Sequence, residues 1–264
     1  MKKNPRTSVI DGNKNTHMNQ PSESGLESKM KVTASSLIRW AGLSAMLAGF
    51  LFIVIQTIHP ADILSSVITD RWAIVHYLSI AMCLFGLLGI TGIYARQVEE
   101  AGWLGLAGYL MFSLFYALTM GFQFTEAFIS PLLPTEAPKL VESFLALASG
   151  SAGEMNLGAV AAVYSLVGVL YMLGGPLFGI ATIRASILPR WAAILFASAG
   201  PVSALVVSLI PHPLDRIAAV PLGVGLAWLG YALWSERPEK HSKPLPAKGS
   251  PQTQGAENES ENLR

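Results

Sequence analysis

Residues 102–129 form an apolar run long enough to cross a bilayer, and their polar members keep to one side. Tyr109, Ser113, Tyr116, Thr119, Gln123 and Glu126 recur at intervals of four, three, three, four and three residues. At about 100° per residue they fall within an arc of about 140° on a helix, and only Thr125 lies off it. A helix apolar all round except for one stripe is a membrane span. Its stripe must face protein or water, because lipid offers polar groups no partner.

Five more runs can each cross about 30 Å of hydrocarbon, which takes about 20 helical residues. They cover residues 37–58, 72–95, 157–183, 191–210 and 217–234. The expected fold is therefore all-α: an integral membrane bundle of six transmembrane helices over residues 36–235. Residues 1–35 and 236–264 are polar and without apolar periodicity, and read as disordered tails. Met30-Lys31 offers a second start. No A-x-A site follows the first run, so that run is expected to stay attached. Between the third and fourth runs, residues 130–156 include Leu140, Val141, Phe144, Leu145 and Ala148 on one face. That is a short amphipathic helix, either a connector on the membrane surface or a lid over the seam.

Positive charge sets the expected orientation. Lys29, Lys31, Arg39, Arg96, Arg184, Arg190, Arg237, Lys240 and Lys243 fall on one side, and only Arg71, Lys139 and Arg216 on the other. Both termini are thus expected in the cytoplasm. Trp40, Trp72, Trp103, Trp191 and Trp234 sit near span ends, where aromatic belts belong. Pro176, Pro201 and Pro221 are expected to kink the last three spans or free a carbonyl. Gly86, Gly89 and Gly92, and likewise Gly102, Gly105 and Gly108, repeat every third residue and permit close helix packing. Such faces suit a homo-oligomer as well as packing within one chain.

Composition narrows the function classes. Only 13% of the 264 residues are charged, against about a quarter in soluble domains, and mean hydropathy is +0.45. The net charge of +1 includes no large basic surface, so nucleic acid is not an expected partner; the lipid bilayer is. The single cysteine, Cys83, excludes an intrachain disulfide, a thiolate metal cluster and a CxxC pair. No Walker A, G-x-G-x-x-G, H-E-x-x-H or G-x-S-x-G pattern occurs, so the common phosphate, dinucleotide, zincin and serine-hydrolase chemistries lack their signatures.

The first span opens Arg39-Trp40-Ala41 and exits His59-Pro60-Ala61-Asp62, while the fifth opens Arg190-Trp191-Ala192 and exits His212-Pro213-Leu214-Asp215. This is an internal repeat, or one solution for ending a helix used twice. His76 lies about 7 Å below the outer surface, and Glu126 lies roughly 36 Å along its helix from Gly102, at the same level. His59, His76 and His212 therefore share one depth with Glu126, Asp62 and Asp215. Three readings stand side by side. His76 and Glu126 form a structural hydrogen-bonded pair, or a protonatable ligand site, lined by His76, Gln123, Glu126, Tyr116 and Thr119. Alternatively His59, His76, Glu126 and His212 hold zinc, or two of the histidines ligate haem iron.

The segments Arg71-Trp72-Ala73-Ile74-Val75-His76, Gly92-Ile93-Tyr94-Ala95-Arg96-Gln97 and Glu126-Ala127-Phe128-Ile129-Ser130-Pro131 resemble uncharacterised bacterial multi-pass membrane proteins of the domain-of-unknown-function type. That resemblance covers spans two and three, implies a bacterial inner-membrane location, and brings no catalytic residues with it. The leading expectation is a non-enzymatic membrane protein without a cofactor, with an outward-facing polar pocket for a small ligand or ion. The alternative is a metal- or haem-binding membrane enzyme or redox protein.

Overall fold

A computed structural model describes residues 33–210 and 214–236. His212 and nearly all of both polar tails lie outside the described residues. In chain order the helices are α1 (Ala34–Ile58), α2 (Leu64–Val67), α3 (Asp70–Arg96), α4 (Val98–Phe124), α5 (Pro138–Ala148), α6 (Ala159–Ala185), α7 (Arg190–Leu209) and α8 (Val220–Ser235). No strand occurs among the described residues. Six of these elements are long and apolar enough to cross a membrane, the sixth when the 3-10 stretch Leu214–Ala219 is counted with α8. The all-α six-helix bundle expected from the sequence is the fold.

Each long helix packs on its neighbours in the sequence, and α1 closes the circuit against α8. The order around the bundle is thus α1, α3, α4, α6, α7, α8, each span lying beside the next one in the chain. Small residues set the spacing. A β-carbon on Gly89 of α3 would lie 2.6 Å from the Cα of Ala45 in α1, so these helices meet backbone to backbone. One turn away, Gly86 makes room for the Tyr116 ring of α4. Gly108 of α4 in turn abuts the backbone of Phe178 in α6. Phe112, Phe115, Tyr116, Phe178 and Phe196 fill the middle, with Phe112 and Phe196 joining α4 to α7 at 4.9 Å between ring centroids.

Several local expectations are corrected. Pro221 does not kink a span: α8 begins only at Val220, so the proline sits in its first turn, where a missing N–H costs nothing. Pro176 and Pro201 do lie inside α6 and α7. The third span starts at Val98 rather than Gly102, and Gly102 takes φ +56°, a conformation suited to glycine, where two helical pieces join. Trp40, Trp103 and Trp191 point outward as a belt requires, but Trp72 is 1% exposed and faces the bundle interior. The two R-W-A openings also diverge in packing: Gly49 of α1 lies against Gly223 and Ala227 of α8, whereas Gly200 of α7 lies against Met172 of α6.

Candidate functional site

The site is built where α1 ends, α3 begins and α4 ends. Thr69 caps α3, its hydroxyl accepting the Trp72 N–H at 3.2 Å, and Asp70 occupies the favourable first turn. Trp72 and His76 are one turn apart on α3, so they share a face and their rings pack, tilted by 32°, at 4.2 Å between centroids. Beyond Phe124 the chain widens into a π turn, Thr125–Ile129, which carries Glu126. There the Ser130 N–H bonds the Thr125 carbonyl, and Pro131 has no N–H to offer Glu126. The Glu126 carbonyl instead accepts the Trp72 indole N–H at 2.8 Å. The proline and the indole together fix where the Glu126 side chain emerges.

His76 is buried, at 1% exposure, and both its ring nitrogens are engaged. Nδ1 lies 2.7 Å from the Trp72 carbonyl, and Nε2 lies 3.0 Å from Glu126 Oε2. A carbonyl only accepts, so Nδ1 must carry a hydrogen. Nε2 in neutral imidazole would then present a lone pair to a carboxylate that also only accepts. The 3.0 Å approach therefore needs one further proton, on Nε2 or on the carboxyl. Either arrangement leaves the pair with no net charge; losing that proton would leave a net negative charge and two facing lone pairs in a buried site.

Around this pair sits a second tier. His59, just past α1, approaches His76 edge-on at 5.3 Å and Trp72 at 5.8 Å. Its Nδ1 donates to the Pro60 carbonyl at 2.7 Å, and burial pulls its pKa down to about 4, against the opposing effect of that carbonyl. His59 is thus neutral at ordinary pH, and its 3.8 Å approach to Asp62 is a contact rather than an ion pair. Asp62 is instead bound by Arg216 at 2.9 Å, which ties the α1 exit to the segment before α8. Arg71 donates to the Ile58 carbonyl at 2.7 Å and joins the same end. Above Trp72, Val141 and Leu145 of α5 pack with Val67, so the amphipathic helix roofs the site. An open cleft of about 310 Å³ lies between residues 62–64 and α5, with Glu142, Ser149 and Ser151 on its wall.

The residues singled out from sequence thus separate into groups. His59, His76 and Glu126 come together at one end, as expected. Gln123 is half-buried one turn deeper. Tyr116 and Thr119 lie deeper still along the seam. Among the described residues no three His, Cys, Asp or Glu are gathered as a set of metal ligands. Sequence reasoning missed Trp72 as a site residue, though its i, i+4 relation to His76 was available. It also missed Gln97, which is fully buried at the far end and donates to Thr182 Oγ1 at 2.7 Å.

Protein-family models, curated proteins and solved structures give no match to the chain. Fold and composition define its class: a multi-pass integral membrane protein.

Proposed function

We propose that this is a non-enzymatic protein of a bacterial inner membrane that holds a proton at the His76–Glu126 pair and binds a small ligand or ion there. The Arg96 end faces the cytoplasm, by the excess of Lys and Arg on that side, and the His76 end faces out. One observation carries the reading: His76 donates to a carbonyl through one nitrogen and meets a carboxylate through the other. A structural pair would be served as well by Asn and Gln. An imidazole–carboxylate pair roofed by α5 adds a titratable proton, which is what ion- and proton-coupled sites use.

The test uses protein purified in detergent. Infrared difference spectra in H₂O and D₂O should contain an exchangeable Glu126 carboxyl or carboxylate signal that is absent in Glu126→Gln. Elemental analysis should find no stoichiometric metal, and the visible spectrum no haem band. Bound metal or haem that disappears in His76→Ala would overturn the reading in favour of a centre on His59, His76 and Glu126.

A further inference from the structure

The polar stripe of α4 runs inward from the proton-holding pair, and three of its hydroxyls lack the bonds that serines and threonines elsewhere in the bundle make. Ser44, Ser79, Thr91, Thr125, Ser165 and Thr182 each donate to the carbonyl one turn back in their own helix. That is the default for a hydroxyl with no other partner in an apolar helix. Ser113 and Thr119 do not. Their oxygens and the hydroxyl of Tyr116 are buried and have no hydrogen-bond partner among the described residues. Tyr116 as a whole is 0% exposed. Three buried oxygens at successive turns of one stripe demand an explanation, and bridging water is the ordinary one.

The register of α3 against α4 shows where the stripe leads. His76 meets Glu126, Gly86 meets Tyr116, and Thr91 meets Tyr109, with 3.2 Å between the last two hydroxyls. The same antiparallel register puts Ser79 level with Gln123 and Cys83 level with Thr119. A polar group therefore recurs at every turn between the His76–Glu126 pair and Tyr109, and Gln97, whose Oε1 is likewise buried and unpartnered, lies further toward the other end. Successive stripe residues are separated by about 4.5 to 6 Å along the axis. That is too far for a direct hydrogen bond, but a single water linking two groups spans about 5.5 Å.

Resting on the reading of His76–Glu126 as a proton site, we propose that the α3–α4 stripe is a hydrated proton relay joining that site to the Gln97 end of the bundle. Each hydroxyl or water accepts a proton from one side and releases its own to the other. One proton enters as one leaves, down the gradient, with no other reactant. Beyond Phe112, Phe178 and Phe196 carry no hydroxyl or other polar group to accept a proton, which confines the protons to this line.

Proteoliposomes holding a pH-sensitive dye test the relay, with potassium and valinomycin clamping the potential. Wild-type protein should equilibrate an imposed pH step faster than empty vesicles. Tyr116→Phe and Thr119→Val, which remove a hydroxyl while keeping shape, should each lower the flux toward that of empty vesicles. Ser165→Ala, whose hydroxyl bonds its own helix at an exposed position, should conduct as wild type. Wild-type vesicles no faster than empty ones would overturn the proposal, as would full flux in both seam variants, with circular dichroism confirming that the variants fold. If flux is absent while the infrared signature of Glu126 is present, the relay alone falls. If the signature is absent as well, the proton site falls with it.

Discussion

Replacing Glu126 with glutamine and with alanine separates the role of its charge from the role of its hydrogen bond. Alanine leaves the second ring nitrogen of His76 without a partner in a site where the imidazole is 1% and the carboxylate side chain 12% exposed. Removing one partner of a buried pair costs about 3–5 kcal/mol. Slight exposure of the carboxylate places this site at the lower end, about 3 kcal/mol. Glutamine can donate its amide N–H to neutral Nε2, while Nδ1 keeps its bond to the Trp72 carbonyl. A charge-assisted bond is then exchanged for a neutral one, at a cost of about 1 kcal/mol. Unfolding titrations in mixed micelles, with His76→Ala and the double variant completing a thermodynamic cycle, should give a coupling energy of about 2 kcal/mol. Glutamine and alanine variants destabilised equally, or a coupling near zero, would refute a proton shared between the two buried side chains.

Gly86→Ala would bring a methyl to 2.5 Å from Cζ of Tyr116, whose ring is held by Phe112 and Phe115, and should destabilise the bundle by about 1–3 kcal/mol in the same titrations. Gly168→Ala, with nothing within 4 Å, should instead be neutral or stabilising by up to about 1 kcal/mol. Trp72→Phe keeps the stack on His76 but leaves the Glu126 carbonyl unpaired, a loss of about 1–3 kcal/mol that should also broaden the infrared signal of Glu126. His59 adds a pH dependence of known sign. With its pKa lowered from 6.5 to about 4 in the fold, the unfolded chain binds the proton more readily. Its contribution is therefore complete above pH 6.5 and is lost as pH falls toward 4, by about 3 kcal/mol in all. Burial is the main cause of that low value, with Arg216 and His76 lowering it and the Pro60 carbonyl and Asp62 opposing them, and His59→Gln should flatten this part of the pH profile of the unfolding midpoint.

The spans were legible because length and apolarity alone decide them, whatever the packing. The seam was legible because Tyr109 to Glu126 keep helical spacing, and the His76–Glu126 pair because depth along two helices can be computed from the rise per residue. Packing direction was harder to read. A tryptophan at a span end satisfies an aromatic belt and a buried stack equally well, so the inward turn of Trp72 had to come from its tertiary contacts. Pro221 read as an internal kink because hydropathy does not distinguish a 3-10 approach from the helix that follows it. Gln97, between two charged-rich span ends, read as loop, although the turn from α3 to α4 is tight enough to bury it. The link from Asp62 to Arg216 joins residues far apart in the chain, and nothing local announces such a pairing.

The proton at the His76–Glu126 pair is read directly by nitrogen NMR of His76 in protein labelled at histidine, assigned by its loss in His76→Ala. Nδ1 should be protonated and Nε2 should sit in a strong hydrogen bond with a shared proton, the latter changed by Glu126→Gln while Nδ1 keeps its hydrogen. A neutral ring with a free Nε2, or an Nε2 shifted by a bound metal, would contradict it.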